Sequence, residues 1–189
     1  MVERKVGFRA IGRRKWLQSL IIGGSLAAVG GAVAWVRTGG YSLDQAARDK
    51  LVSLAPWEFL LVRALARRVV APDRTSGVVS PDDVGVAEFV DRYLFEMRPA
   101  LKVDVLRMLR FVEQLAPFRC GLLSRFTDLD PADQDRVLSA LEGSSIDQLR
   151  AGFQAIKGLV MMGYYRDPRT FPILGYRGPF VAAAEEPLR

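Results

Sequence analysis

Histidine is absent from this chain of 189 residues, and cysteine occurs once, at Cys120. The first absence removes the commonest general base and the commonest transition-metal ligand. It excludes Ser-His-Asp and Cys-His catalytic arrangements. The second excludes a disulfide within the chain, a zinc ribbon and an iron–sulfur cluster held by the chain's own thiols. A glycine-rich phosphate loop is missing as well. The glycine-dense stretch GGSLAAVGG belongs to an N-terminal segment in which small residues have another explanation. Carboxylates and tyrosines remain, and they form no recognisable catalytic constellation. Asp128, Asp130, Asp133 and Asp135 in TDLDPADQD lack the spacing and closing glutamate of a calcium loop. A helix N-terminus, which favours acids through its dipole, accounts for them. Cys120 reads as a small apolar core residue or, in an oxidising compartment, as the partner of a cysteine on another chain. Catalysis by this chain alone is not expected, and neither is a metal or cofactor bound to it.

Positive charge is scarce where a nucleic-acid binder would need it. The net charge is +6, yet residues 1–34 hold six basic side chains against one acidic. The remainder carries 21 basic and 20 acidic side chains and is nearly neutral. Nucleic acid is therefore not an expected partner.

The densest charge instead abuts the most apolar segment, in GRRKWLQSLIIGG. Leu17 to Val36 is a run of 20 residues without a charge, about 30 Å long as a helix. It is interrupted by Gln18, two serines and four glycines, so it is a weak membrane span. The order is basic, then apolar, then small, ending in Ala32-Val33-Ala34 as an A-x-A cleavage site. That is the order of an export signal. Arg13 and Arg14 followed by one variable residue, then Trp16 and Leu17, resemble the twin-arginine motif. A plain transmembrane anchor flanked by basic residues is the alternative, and cleavage at Ala34 stays open. Both readings place residues 41–189 outside the cytoplasm, in the periplasm or at the periplasmic face of the membrane. The twin-arginine route carries folded cargo, often with a cofactor or partner bound, and its translocase reads the arginines.

From Tyr41 onward the periodicity is helical. Ser42 is a candidate N-cap for a first short helix. PWEFLLVRALARRVV places Phe59, Val62, Leu65, Ala66 and Val69 on one stripe, with Arg63, Arg67 and Arg68 on a solvated face. A Pro/Gly-rich loop, APDRTSGVVSPDD, precedes a stripe through Val86, Phe89, Val90, Tyr93 and Leu94. A long helix follows with Leu101, Val105, Met108, Leu109, Val112 and Leu115 on one side, ended or kinked by Pro117. Asp130 and Pro131 open the next helix, and Gly143 is placed to supply a left-handed residue after it. Ser145 and Gln148 have capping-box spacing for the last helix, in which Gly152 and Gly158 allow close packing. Beyond Tyr165, prolines and glycines predict an irregular tail, whose Phe171, Ile173, Leu174, Tyr176 and Phe180 need cover. The expected architecture is all-α, with about five or six helices. The segments are a signal or anchor over 1–36, a linker and first short helix over 37–54, a helical domain over 55–180 and a tail over 181–189.

MMGYYRDPRTFPILGYRGPF, with Gly163, Tyr164 and Tyr165 and then Gly175, Tyr176 and Gly178, resembles the C-terminal signature of the gluconate 2-dehydrogenase subunit 3 family. Upstream, Val70 and Pro72, Gly77, Val86 and Phe89-Val90-Asp91 are similar to that family's proline-ended helix, glycine turn and Phe-(Ile/Val)-Asp helix. The resemblance covers about residues 50–180. The family's Thr-Pro-Gly-Ala turn reads Thr75-Ser76-Gly77-Val78 here. The resemblance implies a small, non-catalytic subunit of a membrane-associated sugar or sugar-acid dehydrogenase. Its large partner would be a flavin-dependent subunit of the glucose–methanol–choline type, carrying FAD, often with a cytochrome c subunit. The small subunit would carry the export signal for both. Tyr164, Tyr165 and Tyr176 then anchor the large subunit or, on the residues alone, close the domain's own core. A membrane-anchored helical adaptor of the cell envelope, acting without a redox partner, is the alternative role.

Overall fold

The computed structural model describes residues 40–70 and 79–176, which contain helices and no strand. The chain divides into two units, 1–40 and 41–189, and the fold is that of the second. Its α-helices are α1 (Gln45–Arg48), α2 (Pro56–Val69), α3 (Pro81–Val84), α4 (Val86–Glu96), α5 (Pro99–Gln114), α6 (Ala116–Arg119), α7 (Pro131–Glu142) and α8 (Asp147–Tyr165). Short 3-10 helices span Phe126–Asp128 and Pro168–Leu174. Five of the α-helices are long and three are single turns of four residues. None of the described helices is long and apolar enough to cross a membrane.

Helix α8 packs against α2, α4, α5 and α7, and α2 packs against α4 and α5. A helix shared by several neighbours needs a wide apolar stripe. Accordingly α2 buries Phe59, Leu61, Val62, Leu65 and Ala66, and α8 buries Phe153, Ile156, Leu159, Val160 and Tyr164. Leu61, Leu65, Leu94 and Leu109 have at most 1% of their surface exposed, and each burial stabilises the bundle by about 2 kcal/mol. The stripes extend past the core at their ends. Val69, Phe89 and Val105 are half-buried, while Tyr93, Leu101 and Leu115 are exposed.

The helix starts follow local chemistry. Pro56 and Pro131 stand in first turns, where no amide donor is lost. The Asp130 carboxylate accepts the Asp133 N–H at 2.8 Å, and the Ser80 hydroxyl accepts the Asp82 N–H at 3.3 Å. Gly85, at φ 72°, ends α3 and starts α4 in a left-handed turn that a side chain would strain. Pro117 lies in the first turn of α6, two residues beyond the C-cap of α5, Leu115.

Several caps differ from the sequence expectation. The short first helix starts after Asp44, not Ser42, and without a side-chain cap. Gly143 is not left-handed but has φ −86°, and α7 closes through the Gly143 N–H bonded to the Ser139 carbonyl. Ser145 does not cap α8. The N-cap is Ile146, whose N–H is accepted by the Ser144 hydroxyl, and Arg150 donates to the Ser144 carbonyl at 2.7 Å. A one-residue shift of the start leaves the Ser145/Gln148 pair out of register. The arginines of α2 are surface-lying but paired. Arg63 and Arg67 both bond Asp82, and Arg68 bonds Asp135. Partial burial pushes the Asp82 carboxyl up, but the two guanidinium bonds outweigh it and hold it below the usual range.

Candidate functional site

The signature at the end of α8 is built into the bundle. Gly163 is buried where α8 crosses α4. A Cβ there would stand 2.8 Å from Phe89 Cδ1 and 3.3 Å from Val86 Cγ1. The missing side chain is what lets the two helices approach. Phe89 is itself held, with the Arg166 guanidinium 4.9 Å from its ring centroid. Tyr164 is 1% exposed, and its hydroxyl donates to the Val79 carbonyl at 2.9 Å, tying α8 to the approach of α3. Tyr165 is half-buried and meets the Tyr164 ring edge-on at 5.1 Å.

The chain then turns through Asp167. Its carboxylate accepts the backbone N–H of Arg169 at 2.9 Å and is held by the Arg169 guanidinium, which brings its pKa down to about 2. Arg169 also donates to the Asp83 carbonyl at 3.1 Å. Thr170, fully buried, donates its hydroxyl proton to the Asp167 carbonyl at 2.8 Å. So the expected irregular tail begins as an ordered 3-10 turn. Gly175 closes it at φ 64°, in the left-handed region that favours glycine. Tyr176 is 43% exposed and packs edge-on against Phe171 at 5.0 Å. Gly178 lies outside the described residues, as do the export-signal residues Arg13, Arg14, Trp16 and Leu17 and the cleavage-site alanines Ala32 and Ala34.

Three buried acids, Asp91, Glu58 and Glu113, organise the rest. Asp91, 2% exposed on α4, accepts the backbone N–H groups of Val52, Ser53 and Leu54 at 2.9, 2.9 and 2.6 Å. It thereby folds the segment before α2 onto α4. The Glu58 carboxylate, in the first turn of α2, reaches back to the Ala55 N–H at 2.8 Å. Glu113 is 0% exposed on α5. It accepts the Tyr41 hydroxyl, the Thr127 hydroxyl at 2.6 Å and the Thr127 N–H at 3.3 Å. Burial pushes the Glu113 carboxyl up, partly offset by these bonds, and burial together with Glu113 raises the Tyr41 phenol. The Arg125 guanidinium covers the Tyr41 ring at 4.0 Å. Among the described residues these acids accept hydrogen bonds from the chain's own backbone and from Tyr41 and Thr127. They hold segments of the bundle together.

The described residues contain no group of three or more acids, cysteines or histidines able to hold a metal. A groove of about 420 Å³ lies beside α1, lined by Lys50, Glu88, Asp91 and Arg92 among others. Its charges are mixed, and Asp91 is already occupied by the three amides. Cys120 is a half-buried free thiol beside a smaller recess that includes Val137, Leu141 and Leu149. The surface is more distinctive than the cavities. Phe118 is 62% and Leu123 73% exposed near Cys120, and Met161 and Met162 stand out from α8.

Such a molecule is an all-helical bundle whose signature residues lock its own helices and whose outside keeps large apolar side chains in water. The family model for gluconate 2-dehydrogenase subunit 3 matches residues 56–176. This chain belongs to that family, and so to the subunits of a dehydrogenase complex. No curated protein and no solved structure matches it.

Proposed function

We propose that the chain is a non-catalytic accessory subunit that binds, stabilises and escorts a flavin-dependent dehydrogenase of the glucose–methanol–choline type. Family membership across residues 56–176 carries this reading. The twin-arginine-like leader at Arg13 and Arg14 supports the escort role, because that route takes folded cargo. Exposed Phe118, Leu123, Met161 and Met162 support a partner, since a small domain alone gains nothing by wetting them. FAD belongs to the large subunit, a cytochrome c subunit completes the complex, and the assembly works at the periplasmic face of the membrane.

The test is purification of the tagged chain from its native envelope fraction, followed by an absorbance spectrum. A co-purifying large subunit with a flavin band at about 450 nm, reducible by a sugar or sugar acid, is the expected result. A colourless, monodisperse lone chain would overturn the reading and favour an anchored adaptor.

A further inference from the structure

The chain enters the bundle at Tyr41, and the entry is lined by rings and cations. The Tyr41 hydroxyl donates to the buried Glu113, and the Arg125 guanidinium lies 4.0 Å from its ring centroid. The Trp57 ring stands 6.5 Å from the Tyr41 ring, and the Arg110 guanidinium 5.7 Å from the Trp57 ring. Arg110, Trp57, Tyr41 and Arg125 thus form a continuous row of cation and ring contacts. Arg110 is exposed in this row, and Trp57 and Tyr41 are half-buried.

The same face carries positive charge without exposed acids to match it. Arg63 and Arg67 face Asp82, and Arg107 takes the exposed Asp104 of α5. Lys102 and Arg110, eight positions apart on α5, have no carboxylate within 4 Å among the described residues. The acid they face is Glu58, which is 7% exposed and bonded to the Ala55 N–H. Burial pushes the Glu58 carboxyl up, and Ala55, Arg110 and Lys102 offset only part of this. Val103, 43% exposed, follows Lys102 on α5. Tryptophan and tyrosine beside arginine, lysine and a wet apolar residue are the composition of a surface at the headgroup layer of a membrane.

The sequence names a neighbour for this entry. Only residues 37–40 separate Tyr41 from the uncharged run Leu17–Val36. An extended chain gains at most about 3.6 Å per residue, so the covalent tether keeps Tyr41 within about 18 Å of Val36. A bilayer that takes up the run therefore stands within reach of the residues around Tyr41. So short a tether also raises the effective concentration of lipid, and weak contacts then suffice.

We infer that the face formed by Trp57, Lys102, Val103 and Arg110 docks on the phosphate-bearing headgroup layer of the membrane that holds the leader. The inference rests on the membrane-side placement proposed above and adds to it the face that touches lipid. Phosphate groups complement the two cations, and the ring of Trp57 suits the boundary between headgroup and acyl chain.

The experiment has two arms, both on the full chain. In the native envelope a photo-crosslinking residue is placed at position 103 and, for comparison, at position 139 on α7. Lipid adducts form at 103 and not at 139. In the second arm Trp16→Phe and Trp35→Phe leave Trp57 as the one tryptophan. That chain is reconstituted in phosphatidylcholine vesicles with and without phosphatidylglycerol, and a nitroxide-headgroup lipid serves as quencher. Quenching of Trp57 is stronger with phosphatidylglycerol and falls as salt is raised. Lys102→Gln and Arg110→Gln each weaken docking about fivefold, the loss expected for one cation at an anionic surface. Arg136→Gln, whose guanidinium pairs with Asp133 on α7, removes the same charge and leaves quenching unchanged. Quenching that ignores phosphatidylglycerol and both α5 substitutions overturns the inference, because the tether alone then explains the nearness. Adducts from 103 to the flavin-bearing subunit or to a second copy overturn it in favour of that occupant. Flavoprotein retained on the tagged chain is measured on the same membranes. Retention without lipid adducts strikes the face alone, and adducts without retention strike the subunit reading alone.

Discussion

Gly158 and Gly163 lie five positions apart on one helix and do opposite things. Gly163 is filled to contact from outside its own helix by Phe89 and Val86, while at Gly158 a Cβ would meet none of the described residues within 4 Å. The inner side of α8 is interlocked with four helices and closed by the Tyr164 hydroxyl. Its outer side is exposed at Ala151, Gln154, Ala155 and Gly158 and begins with the exposed Asp147, which pairs with Arg150. The same amino acid therefore marks a completed close approach at one position and an exposed surface at the other.

The largest expected effect tests how firmly the inner side is locked. Asp91→Ala leaves three backbone N–H groups without their acceptor, and urea unfolding should show a loss of about 3–4 kcal/mol. Gly163→Ala should cost about 2 kcal/mol by overpacking against the pinned Phe89 ring. If it proves as harmless as Gly158→Ala, the contrast between the two glycines collapses. Tyr164→Phe keeps the ring and removes the bond to Val79, so a loss of about 1 kcal/mol is expected.

Glu113 adds a pH test of the same interior. Its folded pKa is raised, so its contribution is fully present below the ordinary carboxylate value and fades as pH rises through the raised one. Wild type should gain on Glu113→Gln between pH 8 and pH 5 in paired denaturation curves, and a gap that does not move with pH would deny the acid's burial. The smallest effect belongs to the outer side, where Gly158→Ala should stabilise the isolated chain by about 0.5–1 kcal/mol.

Much of the interior was readable from periodicity. Val62, Leu65, Val90, Leu94, Leu109 and Val112 lie where a 3.6-residue repeat puts them, and Asp130-Pro131 opens α7 through chemistry local to those two residues. What escaped depends on distant partners. Glu113 looks like a solvent-facing acid until Tyr41, 72 positions away, is brought to it. Asp91 belongs to a recognisable Phe-Val-Asp triplet, but its amide cradle is contributed from 37 to 39 positions upstream. Close packing was expected at Gly152 and Gly158 alike, and among the described residues it is found at Gly152 and not at Gly158. A letter cannot say what lies across from it. The signature tyrosines were open between partner and core. Tyr164 is now placed inside, Tyr165 at the margin and Tyr176 at the surface.

The bond from Tyr164 to Val79 also makes a practical handle. Val70, buried, and Val79, tied to α8, fix the two ends of the connection over 71–78 from within the bundle. Doubling the number of residues in a connection costs only about 0.6 kcal/mol of closure entropy. A reporter or affinity tag spliced between these two valines should therefore leave the bundle standing, and it would allow the subunit to be followed without touching either terminus.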